Sequence, residues 1–420
     1  QGMRAATNFV TNPVAPEVDF AAVMAHVHAA IKQIEPADSP QTLEAAGVQV
    51  VQGEAVFTGP RQARIGERQI AFRHAIIATG SAPAMPDIPG LAAISPLTNE
   101  NVWDLKSLPA RLAIIGGGPV GCELGQAFSR LGSHVTIIER TERLLPTGER
   151  QASEVLGARL ISEGVVLLTE TDVSDVSGAP GELELQLDGP YGAQTLSVDQ
   201  VLVATGRKMR SGDFGLAAAE VRTDDRGYVS VDESLRTSNA RIFAAGDVTG
   251  GPAFTHVAGI QGSVAATNAL LGRFRKVKND TMPAVTFTDP EVAQVGLTES
   301  QARDRHGKAV HVQHLSHSHV DRAVVEDRTE GFTRVVLDGS KVVGATIVAP
   351  RAGEMIAELV TSVADGGRLR DIARVVHAYP AWTDGVWNAA VAQVRTSLQS
   401  PTMQKATRVI LHVKKATERG

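Results

Sequence analysis

The stretch Arg111-Leu-Ala-Ile-Ile-Gly-Gly-Gly-Pro-Val-Gly-Cys-Glu-Leu-Gly125 decides the fold of this chain. The apolar residues that end at Ile115 predict a buried parallel strand, and the residues after the glycines have the composition and apolar spacing of a helix. Between them, Gly116, Gly118 and Gly121 stand in the spacing G-x-G-x-x-G. This order of strand, glycine loop and helix predicts the opening of an α/β dinucleotide-binding unit.

Each glycine of this loop has a separate physical role in such a unit. The first permits the tight turn, the second lets the backbone approach a pyrophosphate, and the third lets the helix pack against the strand. The free N–H groups at the start of the helix then bind the phosphates. Because the same spacing also fits a glycine-rich turn in any α/β protein, the elements that follow decide between the two interpretations.

A second apolar strand, His134 to Ile138, supplies the deciding element because it ends in an acid. Glu139 lies 139 − 116 = 23 residues after Gly116, close to the position where a carboxylate accepts hydrogen bonds from an adenosine ribose. Arg140 and Arg143 follow and could instead meet a 2′-phosphate. We therefore expect NAD(P)H binding and favour NAD over NADP.

Length and composition are those of an ordinary globular protein. The 420 residues allow about two to four domains, with 43% hydrophobic residues, 21% charged residues and a net charge of −5. This charge does not indicate nucleic acid as a partner, and the sequence has neither a long apolar run nor a signal-peptide pattern. The only cysteine, Cys122, excludes a disulfide within the chain and fits a reducing compartment. We therefore expect a cytoplasmic protein without a membrane partner.

Two predicted strands end in the same three residues. The strand His74–Ser81 contains Ala78-Thr-Gly80, and a later strand ends in Ala204-Thr-Gly206, where small residues let the backbone approach a dinucleotide. The glycine loop begins 206 − 116 = 90 residues before Gly206, whereas only 79 residues precede Gly80 and they contain no G-x-G-x-x-G. We therefore expect two related nucleotide-binding units, the first with its opening strand and loop before residue 1.

Another short strand ends in Gly246-Asp247, which places a carboxylate beside a close backbone approach. This arrangement suits hydrogen bonds from the hydroxyl groups of a cofactor, although an aspartate also occurs at the end of a strand without any ligand. The segment Pro252 to His256 then leads into a helix that we expect to end at Leu271.

From Pro283 onward the pattern changes to that of an α+β domain of about 115 residues built on an antiparallel sheet. The segments predicted as strands are 285–287, 292–295, 311–315, 332–337 and 342–348, and those predicted as helices are 354–364 and 369–375. Four histidines lack nearby thiolates or acid pairs, so we expect a solvated or subunit-facing strand and no metal site: His311, His314, His317 and His319. The basic segment 405–419 predicts a terminal helix.

The order of these motifs resembles the class I FAD-dependent pyridine nucleotide-disulfide oxidoreductases. The resemblance extends over nearly the whole chain and is strongest to the mercuric reductase-like branch, with dihydrolipoyl dehydrogenase and glutathione reductase as broader relatives. The phrases Ile34-Glu-Pro-Ala-Asp-Ser39 and Val375-Val-His-Ala-Tyr-Pro380 support that branch. It implies an α/β fold with two nested Rossmann-like dinucleotide-binding domains, the first incomplete and N-terminally truncated, plus a C-terminal α+β dimerisation domain.

The resemblance divides the chain into five segments. They are the remainder of the FAD-binding domain (1–108), the NAD(P)-binding domain (109–236), a second FAD-binding segment (237–281), the dimerisation domain (282–395) and a C-terminal tail (396–420). In this family a hydride passes from the nicotinamide to FAD, and the electrons then reach a redox disulfide. The resemblance therefore implies a homodimeric enzyme that passes electrons from NAD(P)H through FAD to a small-molecule acceptor, either a sulfur group or a thiol-bound metal such as Hg(II).

The resemblance also implies which residues bind the cofactors. Those on the nicotinamide side are Gly116, Gly118, Gly121, Glu123, Glu139 and Gly206. Those on the flavin side are Ala55 near the adenine, Thr79, Gly80, Ser81, Gly246, Asp247, Ala253, Phe254, Thr255 and His256. Glu123 is in addition the implied partner of a lysine near the flavin N5, and we expect that lysine upstream of residue 1.

Two departures from the family pattern concern the catalytic step. The redox cysteine pair is missing, so we expect it upstream of residue 1. The family's His-Pro-Thr-x-x-Glu stretch, whose histidine exchanges a proton with a thiolate, stands here as Tyr379-Pro-Ala-Trp-Thr-Asp384. A tyrosine of ordinary pKa, about 10, suits proton exchange poorly near neutral pH. Mercuric reductases likewise have a tyrosine at this position, and the resemblance implies that Tyr379 helps to handle a metal. Asp384 then takes the glutamate position, and His377 substitutes for the histidine only if the loop brings it round.

The missing redox pair leaves two other interpretations open. The chain could be a nucleotide-binding dimer without disulfide chemistry, such as a sensor or an inactive relic. A flavin-only diaphorase or oxidase is less favoured, because half of the FAD site is absent from the sequence.

Overall fold

The computed structural model describes residues 18–410 except 211, 400, 402 and 406. Within these residues, no helix is both long enough and apolar enough to cross a membrane. The predicted helix at 405–419 lies mostly outside the described residues.

The strands and helices are numbered in chain order. The strands are β1 (Ala55–Gly59), β2 (Gln62–Ile65), β3 (Arg68–Ala71), β4 (Ala75–Ile77), β5 (Ser81–Pro83), β6 (Arg111–Ile115), β7 (His134–Ile138), β8 (Val166–Leu168), β9 (Asp172–Ala179), β10 (Glu182–Gly189), β11 (Gly192–Val198), β12 (Gln200–Val203), β13 (Arg207–Met209), β14 (Ile242–Ala244), β15 (Ala284–Thr286), β16 (Glu291–Gly296), β17 (Val310–Ser316), β18 (Phe332–Asp338) and β19 (Lys341–Ala349). The helices are α1 (Phe20–Ile34), α2 (Pro40–Ala45), α3 (Pro119–Leu131), α4 (Arg150–Ser162), α5 (Thr255–Leu271), α6 (Glu299–His306), α7 (Asp321–Val325), α8 (Ala352–Met355), α9 (Ala357–Asp365), α10 (Leu369–Ile372) and α11 (Asp384–Leu398).

The central unit is a parallel sheet with the strand order β12-β6-β7-β8. β6 and β7 are buried except at their first residues, as expected for a parallel sheet that helices cover. α3 begins at Pro119, directly after the glycine loop, and packs against β7. The strand, loop and helix predicted around Gly116 are therefore confirmed, as is the second strand that ends before Glu139.

The first unit contains a parallel pair, β4 and β14, whose carboxyl ends lead into Ala78 and Gly246-Asp247 at one edge. The prediction of one continuous strand from His74 to Ser81 is wrong. The chain turns at Gly80, where φ is +67°, and resumes as β5 in a different sheet. β5 pairs with β13, which follows the second Ala-Thr-Gly turn, so a two-stranded antiparallel ribbon joins the two units.

The C-terminal domain is the predicted α+β structure. Its five-stranded antiparallel sheet has the order β15-β16-β19-β18-β17, and all five predicted strands are confirmed. The predicted second helix ends early, at Ile372, and α11 was not predicted at all. α11 has a glycine at its second position, so its stability does not come from strong helix propensity. It is stabilised by burial of one face, which includes Val386, Ala389 and Ala390.

The sequence analysis also missed the antiparallel sheet β9-β10-β11, which is inserted in the chain between β8 and β12. Leu183, Leu185 and Leu187 of β10 are buried and alternate with more exposed residues. This is the spacing of two that predicts a half-buried strand, so the signal was present in the sequence.

One apolar core continues from the central unit into the C-terminal domain. It includes Ile114 and Ile137 of the central sheet together with Phe332 and Val348 of the five-stranded sheet. Burial of each such side chain contributes about 1.5–3 kcal/mol, so this shared core fixes the two sheets relative to each other.

Candidate functional site

Packing requires two of the three glycines in the loop. A Cβ atom on Gly121 would lie 2.0 Å from the carbonyl oxygen of Gly116, and one on Gly116 would lie 2.5 Å from the carbonyl oxygen of Ala204. Gly116 also has a φ of +111°, which L-residues rarely adopt. These two glycines let α3 pack against the loop and let the loop pack against the end of β12.

Gly118 differs, because no protein atom lies within 4 Å of the position that its Cβ would occupy. Its φ of −74° and ψ of −175° are accessible to any residue. Gly118 is also the N-cap residue of α3 and gives the helix no side-chain cap. The first N–H groups of α3 therefore lie beside an open space that a side chain at 118 would fill, and this arrangement fits a phosphate group.

Glu139 lies at the carboxyl end of β7, beside this loop, and is only 9% exposed. Its Oε2 atom accepts a hydrogen bond from the N–H of Gly117 at 2.7 Å. Its Oε1 atom accepts from the N–H of Thr141 at 2.8 Å and from the hydroxyl of Thr141 at 2.7 Å. Glu139 therefore braces the glycine loop, a role that the sequence analysis did not predict. A carboxylate has about four lone-pair sites, so a ribose hydroxyl can still donate to it.

The two arginines that follow Glu139 have different surroundings. Arg143 donates to the carbonyl oxygens of Gly148, at 3.1 Å, and Pro146, at 2.7 Å, so its guanidinium is held by its own loop. Arg140 has an exposed side chain. Of these two residues, Arg140 is the stronger candidate for contact with a 2′-phosphate.

The two Ala-Thr-Gly turns lie side by side where β5 and β13 pair. The N–H of Ala84 donates to the carbonyl oxygen of Gly206 at 2.9 Å. The hydroxyl of Thr205 donates to the carbonyl oxygen of Ala84 at 2.7 Å. A Cβ atom on Gly206 would meet no atom within 4 Å, so the second turn is open on that side.

Ser81, Arg207 and Asp247 form a hydrogen-bonded group across the ribbon. The hydroxyl of Ser81 donates to Oδ2 of Asp247 at 2.6 Å. Arg207 donates through Nε to the hydroxyl oxygen of Ser81 at 2.6 Å and to Oδ2 of Asp247 at 3.2 Å. The structure thus places Ser81 beside Asp247, two residues that the sequence analysis assigned separately to the flavin side, and adds Arg207, which was not among the predicted site residues.

Near this edge, the hydroxyl of Thr79 has no hydrogen-bond partner among the described residues, whereas the N–H of Gly246 has one. The hydroxyl oxygen of Thr79 is also buried. No atom lies within 4 Å of a Cβ on Gly80, and the N–H of Gly246 donates to Oε1 of the buried Gln261 at 2.8 Å. A buried hydroxyl without a partner next to an open glycine fits a polar ligand at this edge.

An apolar cavity of about 470 Å³ lies between α5 and the C-terminal domain. Phe254, Thr255 and His256 line one side, and Val285 and Phe287 are among the residues on the other. α5 begins at Thr255 without a side-chain cap, so its free N–H groups lie at this cavity. Its apolar walls with one polar helix end suit a flat aromatic ring that carries hydrogen-bonding groups.

Glu123 connects the glycine-loop helix to this cavity. Its Oε1 atom accepts a hydrogen bond from the N–H of Phe287 at 2.7 Å. Burial raises the pKa of Glu123, and the bond from Phe287 offsets part of that effect. Glu123, a predicted nicotinamide-side residue, is therefore bonded to a residue that lines the same cavity as Phe254, Thr255 and His256 of the predicted flavin side.

A second cavity, of about 540 Å³, brings together three of the predicted catalytic residues: Tyr379, Asp384 and His377. Tyr379 is 72% exposed, and its hydroxyl donates to Oδ2 of Asp321 at 2.5 Å. This hydrogen bond, together with the negative charge of Asp321, raises the pKa of Tyr379. Asp321 was not predicted, because it lies 379 − 321 = 58 residues earlier and belongs to no motif.

Asp384 and His377 form hydrogen bonds with residues other than Tyr379. Oδ2 of the buried Asp384 accepts a hydrogen bond from the N–H of Ala381 at 3.0 Å, within its own turn. Nδ1 of His377 lies 3.0 Å from the carbonyl oxygen of Val375, and Nε2 lies 2.9 Å from Oε2 of Glu358. Burial lowers the pKa of His377, but the hydrogen bonds to Glu358 and Val375 and the negative charges of Glu358 and Asp384 together outweigh it, so the pKa is raised overall.

Cys122 has none of the features of a redox thiol. It is buried in α3, and its Sγ lies 3.4 Å from the carbonyl oxygen of Gly117. Burial, with the negative charges of Glu123 and Glu139, raises its pKa strongly, which suppresses the thiolate.

The remaining predicted residues lie apart from these contacts or are exposed. Ala55 starts β1 in a separate three-stranded sheet and is exposed, and Ala253 is exposed just before the apolar cavity. Among the four histidines, His317 is buried with Nε2 at 2.9 Å from the hydroxyl of Thr333, and burial lowers its pKa to about 4. Within the described part of the chain, no three His, Cys, Asp or Glu side chains are grouped so as to hold a metal ion.

Comparison with known proteins agrees with this geometry. Residues 5–262 match the family model described as pyridine nucleotide-disulphide oxidoreductase, and residues 282–390 match its dimerisation domain. A mercuric reductase from Staphylococcus aureus is 37% identical over 353 residues, which is 83% of this chain and 64% of that protein. The chain thus spans less than two thirds of the length of that relative.

Two further proteins extend the comparison. A dihydrolipoyl dehydrogenase from Thermus scotoductus is 36% identical over 356 residues, which is 82% of this chain and 75% of that protein. The solved structure of the HOCl-induced flavoprotein disulfide reductase RclA from Escherichia coli superposes with a TM-score of 0.79 at 25% identity, covering 89% of this chain and 86% of that chain.

Proposed function

The chain belongs to the pyridine nucleotide-disulphide oxidoreductase family, and from this premise we propose that it acts as a flavoenzyme that passes electrons from NAD(P)H to a sulfur group or a thiol-bound metal. The family binds FAD and NAD(P)H. The observation that carries the proposal is the pair of adjacent sites joined by Glu123: an open glycine loop at the start of α3 and an apolar cavity at the start of α5.

On the nicotinamide side, the uncapped N–H groups of α3 bind the pyrophosphate and Gly118 leaves room for it. Gly116 and Gly121 hold the loop in shape, and Glu139 both braces the loop and accepts a hydrogen bond from the adenosine ribose. The exposed Arg140 keeps NADP as an alternative, and the carboxylate of Glu139 favours NAD.

On the flavin side, Asp247 accepts hydrogen bonds from ligand hydroxyls while Ser81 and Arg207 orient its carboxylate. The unpartnered hydroxyl of Thr79 bonds the same ligand, and the free N–H groups at Thr255 meet its polar ring edge. When bound, flavin supplies the two-electron chemistry that links a nicotinamide to a disulfide or a metal. Glu123 lies between the two sites and remains the proposed partner of a lysine.

At the acceptor side, we propose that Tyr379 contacts the acceptor and that Asp321 orients its hydroxyl. Asp384 holds the turn in which Tyr379 lies, because it binds the backbone of Ala381. His377 does not replace the family's catalytic histidine in this proposal, since both of its ring nitrogens have partners. The resemblance to mercuric reductases and to dihydrolipoyl dehydrogenases supports Hg(II) and a disulfide as the two acceptor classes to compare.

The test is to purify the full-length protein, release any bound flavin by denaturation, and follow oxidation of NADH and NADPH with each acceptor. We expect flavin and acceptor-dependent oxidation, with Tyr379→Phe lowering the rate with thiol-complexed Hg(II) more than the rate with lipoamide. Protein that binds neither flavin nor nicotinamide would contradict the proposal. Nicotinamide binding without flavin would instead favour the sensor or relic interpretation.

The quaternary structure and location are part of the same proposal. We infer a homodimer formed through the C-terminal domain, which matches the dimerisation model and exposes large apolar side chains: Phe287, Val325 and Val376. A cytoplasmic location is supported by the single, unpaired cysteine. Light scattering on the purified protein tests the dimer, and a monomer at micromolar concentration would contradict it.

A further inference from the structure

One face of α3 is bonded to the segment that connects β15 and β16. Glu123, Gln126 and Arg130 lie three and four residues apart, so they share a face of the helix. All three bond to Phe287 or Asp289 of the C-terminal domain. We name these residues, with Phe287 and Asp289, the α3 latch.

Gln126 lies at the centre of the latch and is 4% exposed. Its Nε2 atom donates to the carbonyl oxygen of Asp289 at 2.8 Å, and its Oε1 atom accepts from the N–H of Asp289 at 2.7 Å. The side-chain amide thus pairs with the backbone of one residue in both directions. Such a pair tolerates little displacement of the helix, because both bonds lengthen together.

Charged groups surround this pair on the side away from the glycine loop. Arg130 donates to Oδ2 of Asp289 at 2.8 Å and to Glu163 at 2.7 Å, and Arg328 donates to Oδ1 of Asp289. Burial lowers the pKa of the Arg130 guanidinium, but its bonds to Glu163 and Asp289 outweigh this and raise it. Asp289 is therefore held by cations from two domains.

The end of the latch formed by Glu123 and Phe287 lies nearest the glycine loop and also reaches the apolar cavity. Gly118 caps the helix whose fifth residue is Glu123, and Phe287 is both a latch residue and a wall of the cavity. A shift of α3 that changes the dinucleotide loop must therefore also move or release Phe287.

We propose that Gln126 is a positioning residue that couples nicotinamide binding at the start of α3 to the position of Phe287 at the cavity. This inference rests on the proposed function, because it requires NADH at the glycine loop. Its physical basis is linkage: NADH binds only the latched position of α3, so it reduces the population in which the latch is open.

The test is hydrogen exchange of the segment 284–290, which carries the N–H groups of Phe287 and Asp289, with and without NADH. For the wild type at an NADH concentration ten times its Kd, we expect exchange there to slow by up to about tenfold. In Gln126→Leu, we expect NADH to bind more weakly and, at ten times the Kd of the variant, to change this exchange by less than about twofold.

Gln151→Leu is the matched control, because it is the same substitution at another bond between the two domains. Oε1 of Gln151 accepts from Arg334 at 2.8 Å and has no contact with the α3 latch among the described hydrogen bonds. It should keep the NADH-dependent protection of the wild type. In the flavin-loaded protein, Gln126→Leu should in addition slow flavin reduction by NADH without changing the flavin reduction potential.

The outcomes separate this inference from the proposed function. Equal NADH-dependent protection in the wild type and Gln126→Leu would overturn the inference alone, as would loss of protection in Gln151→Leu. If NADH fails to bind the wild type, the proposed function and the inference both fall.

Discussion

The glycine loop and the Tyr379 turn are both motif regions, but they differ in what fixes their side chains. In the loop, the close contacts of Gly121 and Gly116 are mainly with the carbonyl groups of Gly116 and Ala204, and Glu139 adds a single side-chain bond to the backbone of Gly117. In the turn, Tyr379 and His377 are held by Asp321 and Glu358, which lie outside the motif. A binding site formed by backbone groups can therefore be predicted from residue spacing. A site that depends on side chains distant in the sequence can be recognised only when the fold is known.

The largest expected effect comes from a substitution that disrupts the backbone packing of the glycine loop. Gly121→Val places a side chain where a Cβ atom alone would lie 2.0 Å from the carbonyl oxygen of Gly116. We expect it to destabilise the protein by about 3 kcal/mol or more, read as a lower urea midpoint. Gly118→Ala is the control and should cost less than about 1 kcal/mol. Equal midpoints for the two variants would contradict the packing described here.

The next prediction separates the two roles of Glu139. Glu139→Ala leaves the N–H groups of Gly117 and Thr141 without their acceptor, which should cost about 1–3 kcal/mol in urea unfolding. Calorimetry should show a larger loss of affinity for NADH than for NADPH, because the variant also removes a carboxylate that would repel a 2′-phosphate. Equal losses for both nucleotides would mean that Glu139 only braces the loop.

A smaller effect tests the pairing of His377 with Glu358 in the Tyr379 turn. The bond to Glu358 raises the pKa of His377, so its stabilising contribution is complete below the unfolded pKa of about 6.5 and is lost as pH rises through the higher folded pKa. Because Glu358 is partly exposed, we expect less than about 1 kcal/mol. The free energy of unfolding of the wild type minus that of His377→Gln should therefore be larger at about pH 6 than at about pH 9. A difference independent of pH would contradict the pairing.

The smallest effect is spectroscopic. Absorbance titration of the wild type minus Tyr379→Phe isolates Tyr379 from the other two tyrosines. Its pKa should lie above the ordinary value of about 10, and Asp321→Asn should move it back down. An unchanged titration in Asp321→Asn would show that Asp321 does not hold the phenol.

Much of the fold could be predicted because its signals are local. The apolar runs and glycine spacing around Gly116 determine β6, the loop and α3, and the alternation after Pro283 determines the five-stranded sheet. The single strand predicted across Gly80 failed because three small residues carry no signal that separates a strand from a turn. α11 escaped prediction because its stability comes from tertiary burial of one face.

The candidate site was predictable in part for the same reason. Ser81 and Asp247 follow recognisable strand ends and do meet. Arg207, Asp321 and Gln126 act through partners 40 or more residues away, and the amino-acid sequence does not indicate such pairs. The α3 latch in particular is invisible until α3 and the β15–β16 connection are seen together.

The most direct measurement is a calorimetric titration of NADH into the wild type and Gly118→Val. If the open space at Gly118 is where the backbone of α3 meets the pyrophosphate, the wild type binds and the variant binds at least about tenfold more weakly, a loss of about 1.4 kcal/mol. Equal NADH affinity in a Gly118→Val protein of unchanged stability would contradict the assignment of the loop.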